Sequence, residues 1–246
     1  LHAQKTTKTN QGRKQNMDSF QYCTLQEPPK EAKAKSLGNS RKKRALVHYS
    51  KTWPSRSTLK IAFMDNPTPE HKKKIIAAAE RWLPYISLKF EFVEGVEGHI
   101  RISTEGVGNS SFLGTDALEM FPDTPTMWLG IDPEHEDFET VVTHEFGHAL
   151  GAMHEHQHPK AQIPWNKENV YHYYQNRPLD PVSREQVDDN IFTTFNDADA
   201  LYLPYDRKSI MHHPISNNLT LGNWANPINR EISEKDKELM RLIYPR

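Results

Sequence analysis

One stretch of the chain concentrates side chains able to do chemistry: His144-Glu145-Phe146-Gly147-His148-Ala149-Leu150-Gly151-Ala152-Met153-His154-Glu155. His144 and His148 stand four residues apart, so on a helix both imidazoles project from one face and can reach a single ion. Gly151 falls where such a helix ends, and a left-handed residue there turns the chain sharply enough to bring His154 round as a third ligand. Three neutral nitrogens leave a fourth position open on Zn2+, the arrangement of a catalytic rather than a closed structural site. Glu145 lies beside the metal face, where its carboxylate can accept a proton from a polarised water as general base. A bare pair of histidines around a glutamate arises often by chance. Gly151 and His154 add two further specified positions, and a purely structural zinc site more usually employs thiolates, which this stretch lacks.

The elements that must carry these residues are legible around them. Phe138, Val141, Val142, Phe146, Ala149 and Leu150 form a continuous apolar stripe, which predicts a buried helix from Phe138 to Leu150. Upstream, Leu59 to Phe63 reads as a strand. Thr68 then caps a helix with Pro69 and Glu70 in its first turn; Ile75, Ile76, Ala79, Trp82 and Leu83 share a face, and Pro84 stops it. Ile86, Leu88, Phe90 and Phe92 alternate with polar neighbours as in a half-buried strand. Further strands are expected at His99 to Ser103, Ser111 to Thr115 and Thr126 to Ile131, giving an α+β fold with a twisted mixed sheet. Pro159 to Asp206 reads as irregular. Ser233 and Asp236 have the spacing of a capping box for a final helix that Pro245 closes.

Composition narrows the setting. With 36% apolar residues among 246, the chain can bury a full core. No apolar run approaches the roughly 20 residues of a membrane-spanning helix, so no membrane partner is expected. The opening Leu1-His2-Ala3-Gln4 lacks an initiator Met, as after removal of a signal peptide, though trimming would look the same. A net charge of -1 hides an asymmetry: residues 1–44 hold 11 Lys/Arg against 3 Asp/Glu, and residues 45–246 hold 20 against 29. A basic arm without interleaved aromatics on an acidic body argues against nucleic acid and for attraction within the molecule. That arm ends in Arg41-Lys42-Lys43-Arg44, a protease-accessible linker; a tail without a role is the plain alternative. The lone Cys23 excludes an intrachain disulfide.

The run of three histidines, Glu145 and Gly151 resembles the metzincin signature, and the Glu155 that follows makes it similar to the astacin family. That resemblance covers about Ala45 to the carboxyl end. It implies a two-subdomain fold, upper 45–151 and lower 152–246, with a five-stranded mixed sheet, an active-site helix and a final helix. The implied activity is that of a secreted zinc endopeptidase for polypeptide substrates. Ser209-Ile210-Met211-His212 matches the family's methionine turn beneath the zinc, and Ser111 to Thr115 its cleft-edge strand, although an ordinary surface loop would read the same way.

Three features depart from the animal members. Disulfides are missing, as in a microbial branch. His213 stands where the family has a tyrosine that assists zinc and oxyanion, either replacing it or leaving the role vacant. Phe20-Gln21-Tyr22-Cys23 resembles the family's pro-segment motif with Cys in place of Asp, which makes residues 1–44 an inhibitory pro-segment acting in cis through Cys23 on the zinc; Asp18 is the alternative blocker. An activating protease is then needed. Cleavage after Arg44 would free Ala45 to pair with Glu155, unless Glu155 is a plain surface carboxylate. Asn109 and Asn218 occupy N-x-S/T triplets. The rival from another class is a catalytically silent zinc-containing binding or adhesion module, against which the intact Glu145 argues.

Overall fold

The structure, a computed structural model, describes residues 23–26, 45–177, 181–195, 200–201 and 203–246. Its strands are β1 (Cys23–Gln26), β2 (Ala45–His48), β3 (Thr58–Phe63), β4 (Lys89–Glu94), β5 (Ile100–Ser103), β6 (Asn109–Phe112), β7 (Met127–Leu129) and β8 (Ala200–Leu201). The helices are α1 (Pro69–Glu80), α2 (Phe138–Ala149), α3 (Lys167–Gln175), α4 (Arg184–Val187) and α5 (Glu234–Ile243). Five strands from residues 45–246 form the mixed sheet in the order β6-β7-β5-β3-β4, with β6 antiparallel to β7 and the other pairs parallel. β1 adds itself as a sixth strand, parallel to β6, with Cys23 opposite Asn109.

Helices α1 and α2 cover the sheet because their apolar residues have nowhere else to go. Ile75, Ala78 and Ala79 of α1 and Val141, Val142 and Phe146 of α2 join Ile61, Ile100, Ile102, Met127 and Leu129 of the strands in one core. Thr68 caps α1 as its sequence indicates, accepting from His71 N at 3.3 Å. The helix stops at Glu80, earlier than its apolar face suggested. Trp82 instead packs at zero exposure beyond the helix end, donating its indole N–H to Thr143 O at 2.8 Å, and Leu83–Tyr85 makes a separate tight turn around Pro84.

The segment 159–206 is not wholly irregular. It contains α3, whose Asn166 cap accepts from Asn169 N, and α4, which begins with a Ser183–Gln186 capping box. Both build a second, smaller core from Val170, Tyr171, Tyr174, Val187 and Ile191 with Ile215 and Leu219. Scattered aromatics among Asn and Asp hid a helical face of only two or three turns. The final helix begins with the expected box between Ser233 and Asp236.

Candidate metal centre and cleft

The carboxyl end of α2 shows why the histidine run folds as it does. Leu150 is the cap, Gly151 takes φ +97°, Gly151 N donates to His148 O at 2.8 Å and Ala152 N to Gly147 O at 2.9 Å. These paired bonds are a Schellman motif, and only glycine enters that left-handed position without strain. Two carbonyls left over at the helix end are met from outside: Trp53 Nε1–H donates to Ala149 O and the Tyr244 hydroxyl to Leu150 O, both at 2.7 Å. The turn is thereby fixed, and His154 comes back over the helix.

His144, His148, His154 and Cys23 each bring one ligand atom to within 4.8 Å of the other three, all buried. His148 Nε2 lies 3.1 Å from His144 Nε2 and 2.9 Å from His154 Nε2, and Cys23 Sγ lies 3.4 Å from His154 Nε2. The tautomers follow from the outer partners. His144 Nδ1–H donates to Ile210 O at 2.8 Å and His148 Nδ1–H to Ala152 O at 2.7 Å. A carbonyl can only accept, so both Nε2 atoms carry lone pairs. Lone pairs so close together repel unless a cation lies between them, and imidazole plus thiolate suits Zn2+. Burial lowers the pKa of His144 to about 4 and that of His148 well below its ordinary value, so both remain neutral and able to ligate. The residues present therefore fit zinc.

Glu145 is fully buried beside this cluster, and neither carboxylate oxygen has a hydrogen-bond partner among the described residues. Burial raises its pKa to about 8, opposed in part by the Cys23 thiol, which is near enough to polarise the carboxylate without clear hydrogen-bond geometry. Burial and the Glu145 charge push the thiol's own pKa up. A bound cation reverses that ordering by stabilising the thiolate.

His213 Nε2 stands 2.9 Å from His154 Nε2, so the residue in the tyrosine's place does reach the cluster. It follows Met211, which is 2% exposed and packs against Gly147, where a β-carbon would collide with the methionine sulfur. The turn is pinned by Asp236, which accepts from Ser209 Oγ at 2.6 Å, Ile210 N at 2.9 Å and Ser233 N at 2.9 Å. Glu155 is not a surface carboxylate: it is 8% exposed and accepts from Asp206 N at 2.7 Å. It lines a small pocket with Leu203, Pro204, Asp206, Lys235, Asp236 and Leu239. Asn109 is buried and accepts from Ile131 N at 3.1 Å, so it is no glycan acceptor in the folded chain, whereas Asn218 is exposed. Asp18, Phe20 to Tyr22 and Arg44 lie outside the described residues.

Sequence reasoning missed His156. Its Nε2–H donates to Asn190 O at 3.1 Å, and its ring stacks on His213 with centroids 4.4 Å apart. The only available signal was a further histidine two positions beyond His154, with no periodicity to mark it. The edge strand is displaced as well, to Asn109–Phe112, and the strands at 100–103 and 127–129 are shorter than their patterns implied.

Comparison with known proteins places this geometry. A search of curated proteins finds zinc metalloproteinase nas-38 of Caenorhabditis elegans, 29% identical over 165 residues; the match takes in 66% of this chain but only 20% of that protein, so the chain spans about a fifth of its length. Among solved structures, one of myroilysin is 39% identical, with TM-score 0.76 over 81% of this chain and 98% of that one. A second myroilysin structure, a crystal structure, is 36% identical with TM-score 0.62, covering 91% of this chain and all of the other. High choriolytic enzyme 1 of Oryzias latipes, a hatching enzyme zinc-protease, has TM-score 0.55 at 19% identity over 79% of this chain and 94% of that one, a likeness of fold alone. Residues 45–239 match the model of the peptidase family described as Astacin, and with three histidines gathered by a glycine turn into a group able to hold a metal ion, this chain belongs to the astacin family.

Proposed function

We propose that the protein is a secreted zinc endopeptidase that cleaves polypeptides and is held latent by its own residues 1–44 through Cys23. The observation that carries the latency is the 3.4 Å approach of Cys23 Sγ to His154 Nε2 within the four-donor cluster. His144, His148 and His154 hold the ion, which when bound supplies Lewis-acid polarisation of water and of the scissile carbonyl. Glu145 takes the proton from the attacking water and returns it to the departing amine nitrogen, so bond breaking leaves no charged amide behind. His213 donates a hydrogen bond to the oxygen that gains negative charge as the carbonyl carbon becomes tetrahedral. β6 offers its backbone to an extended substrate, and β1 occupies that edge in the latent form. The thiolate fills the position water needs, and attraction between the basic arm and the acidic body adds a contribution that salt weakens.

Activation fits cleavage after Arg44. Ala45 lies on β2, paired with Leu201 of β8, two residues along the chain from Leu203, which lines the Glu155 pocket. Burial holds the Glu155 pKa well above its ordinary value, which a new ammonium group on Ala45 would offset. The name of the zinc metalloproteinase it matches in Caenorhabditis elegans supports peptide hydrolysis. The test is incubation with unfolded proteins before and after limited trypsin treatment, with and without a chelator, alongside Cys23→Ser and Asp18→Asn. Hydrolysis that appears after trypsin, vanishes with chelator and appears early only in Cys23→Ser is the expected result. A latent Cys23→Ser chain, or a mature amino terminus far from Ala45, would overturn the scheme.

A further inference from the structure

His156 takes no part in the proposed hydrolysis. The residue is 2% exposed, and its Nε2 must carry the proton because its partner at 3.1 Å is the Asn190 carbonyl. Nδ1 therefore bears a lone pair, and it has no hydrogen-bond partner among the described residues. Leaving such a group buried and unsatisfied is costly. His154, His156 and His213 each present a ring nitrogen within 4.8 Å of the other two, all buried. We propose that this second triad binds a second divalent transition-metal ion, of the imidazole-seeking kind to which zinc and copper belong.

The two sites share His154, and an imidazole nitrogen carries one ion at a time. In the latent chain the first cluster has four donors, Cys23, His144, His148 and His154, so it can cede His154 and still hold its ion by three. After Cys23 leaves, ceding His154 would strand the first ion on two histidines. The second ion therefore suits the latent chain and opposes catalysis in the mature one, where it also withdraws His213 from the substrate. Nearby rings need only small rotations, since His213 Nε2 is already 2.9 Å from His154 Nε2 and zinc takes nitrogen at about 2.0–2.1 Å.

This rests on the proposed zinc site but not on hydrolysis, and its test reads metal directly. The full-length chain, stripped and titrated with Co2+ or Zn2+, is expected to take up two equivalents, the second more weakly. His156→Phe keeps an aromatic ring stacked on His213 and removes both nitrogens; it is expected to take up one. His172→Gln, on an exposed position of α3, is expected to retain both. A single equivalent in the parent, or a second equivalent surviving in His156→Phe, overturns the second site. Absence of hydrolysis after trypsin treatment with only the first equivalent bound would instead count against the peptidase reading.

Discussion

The residues before and after Gly151 are stabilised in different ways. Before it, strands and helices bury apolar faces: Leu59, Ile61 and Phe63 of β3 sit at 3% exposure or less, beneath α1 and α2. After it, side chains reach for backbone carbonyls. His156 donates to Asn190 O, Gln157 Nε2 to Asp189 O, His158 Nε2 to Leu203 O, and Asn229 Nδ2 to Arg207 O and Ser209 O. The Met211 turn and α5 bridge the two halves, since Ile210, Met211, Met240 and Tyr244 enter the larger core. The difference teaches that the four-donor cluster sits at a seam: one wall rests mainly on packing, and the other adds a web of directional bonds to its smaller core.

Replacing Glu145 by Gln tests the chemistry apart from both walls. Hydrolysis by the trypsin-treated protein is expected to fall on the order of a hundredfold or more, with zinc content and melting temperature unchanged. Activity within a factor of two of the parent would remove Glu145 from its role. Ile61→Ala strikes the packed wall, where the side chain has zero exposure. Denaturant unfolding is expected to show a loss of about 2–5 kcal/mol, and a much smaller loss would mean that packing is not what stabilises this half.

Asp236→Ala strikes the bonded wall at its most connected point. Three donors lose their acceptor, and a loss of about 2–3 kcal/mol is expected, together with weaker zinc retention because the methionine turn is released. Gln157→Ala removes a single bond to Asp189 O and is expected to cost about 1 kcal/mol. If Gln157→Ala proved as damaging as Ile61→Ala, the contrast between the walls would fail.

The same contrast explains what could be read from sequence. The stripe of α2, the alternation around β4 and the capped ends of α1 and α5 are periodic or positional patterns that burial imposes on any chain of this shape. The three clustered histidines and Glu145 are legible because their spacing is itself helical up to Gly151. Bonds such as His156 to Asn190, or Asp236 to Ile210, join residues far apart in the chain and leave no periodic trace. That is why Glu155 cannot be distinguished from a surface acid, whereas α3 and α4 escape because their apolar faces are too short to show a period.

The central claim is that Cys23 and three histidines share one zinc ion in the latent chain. Zinc-edge X-ray absorption on the full-length protein, repeated after trypsin treatment, measures the ligand set directly. The expected result is one sulfur at about 2.3 Å and nitrogens at about 2.0–2.1 Å before cleavage, with the sulfur shell lost afterwards. Nitrogen and oxygen ligands alone in the full-length chain, unchanged by cleavage, would contradict the account.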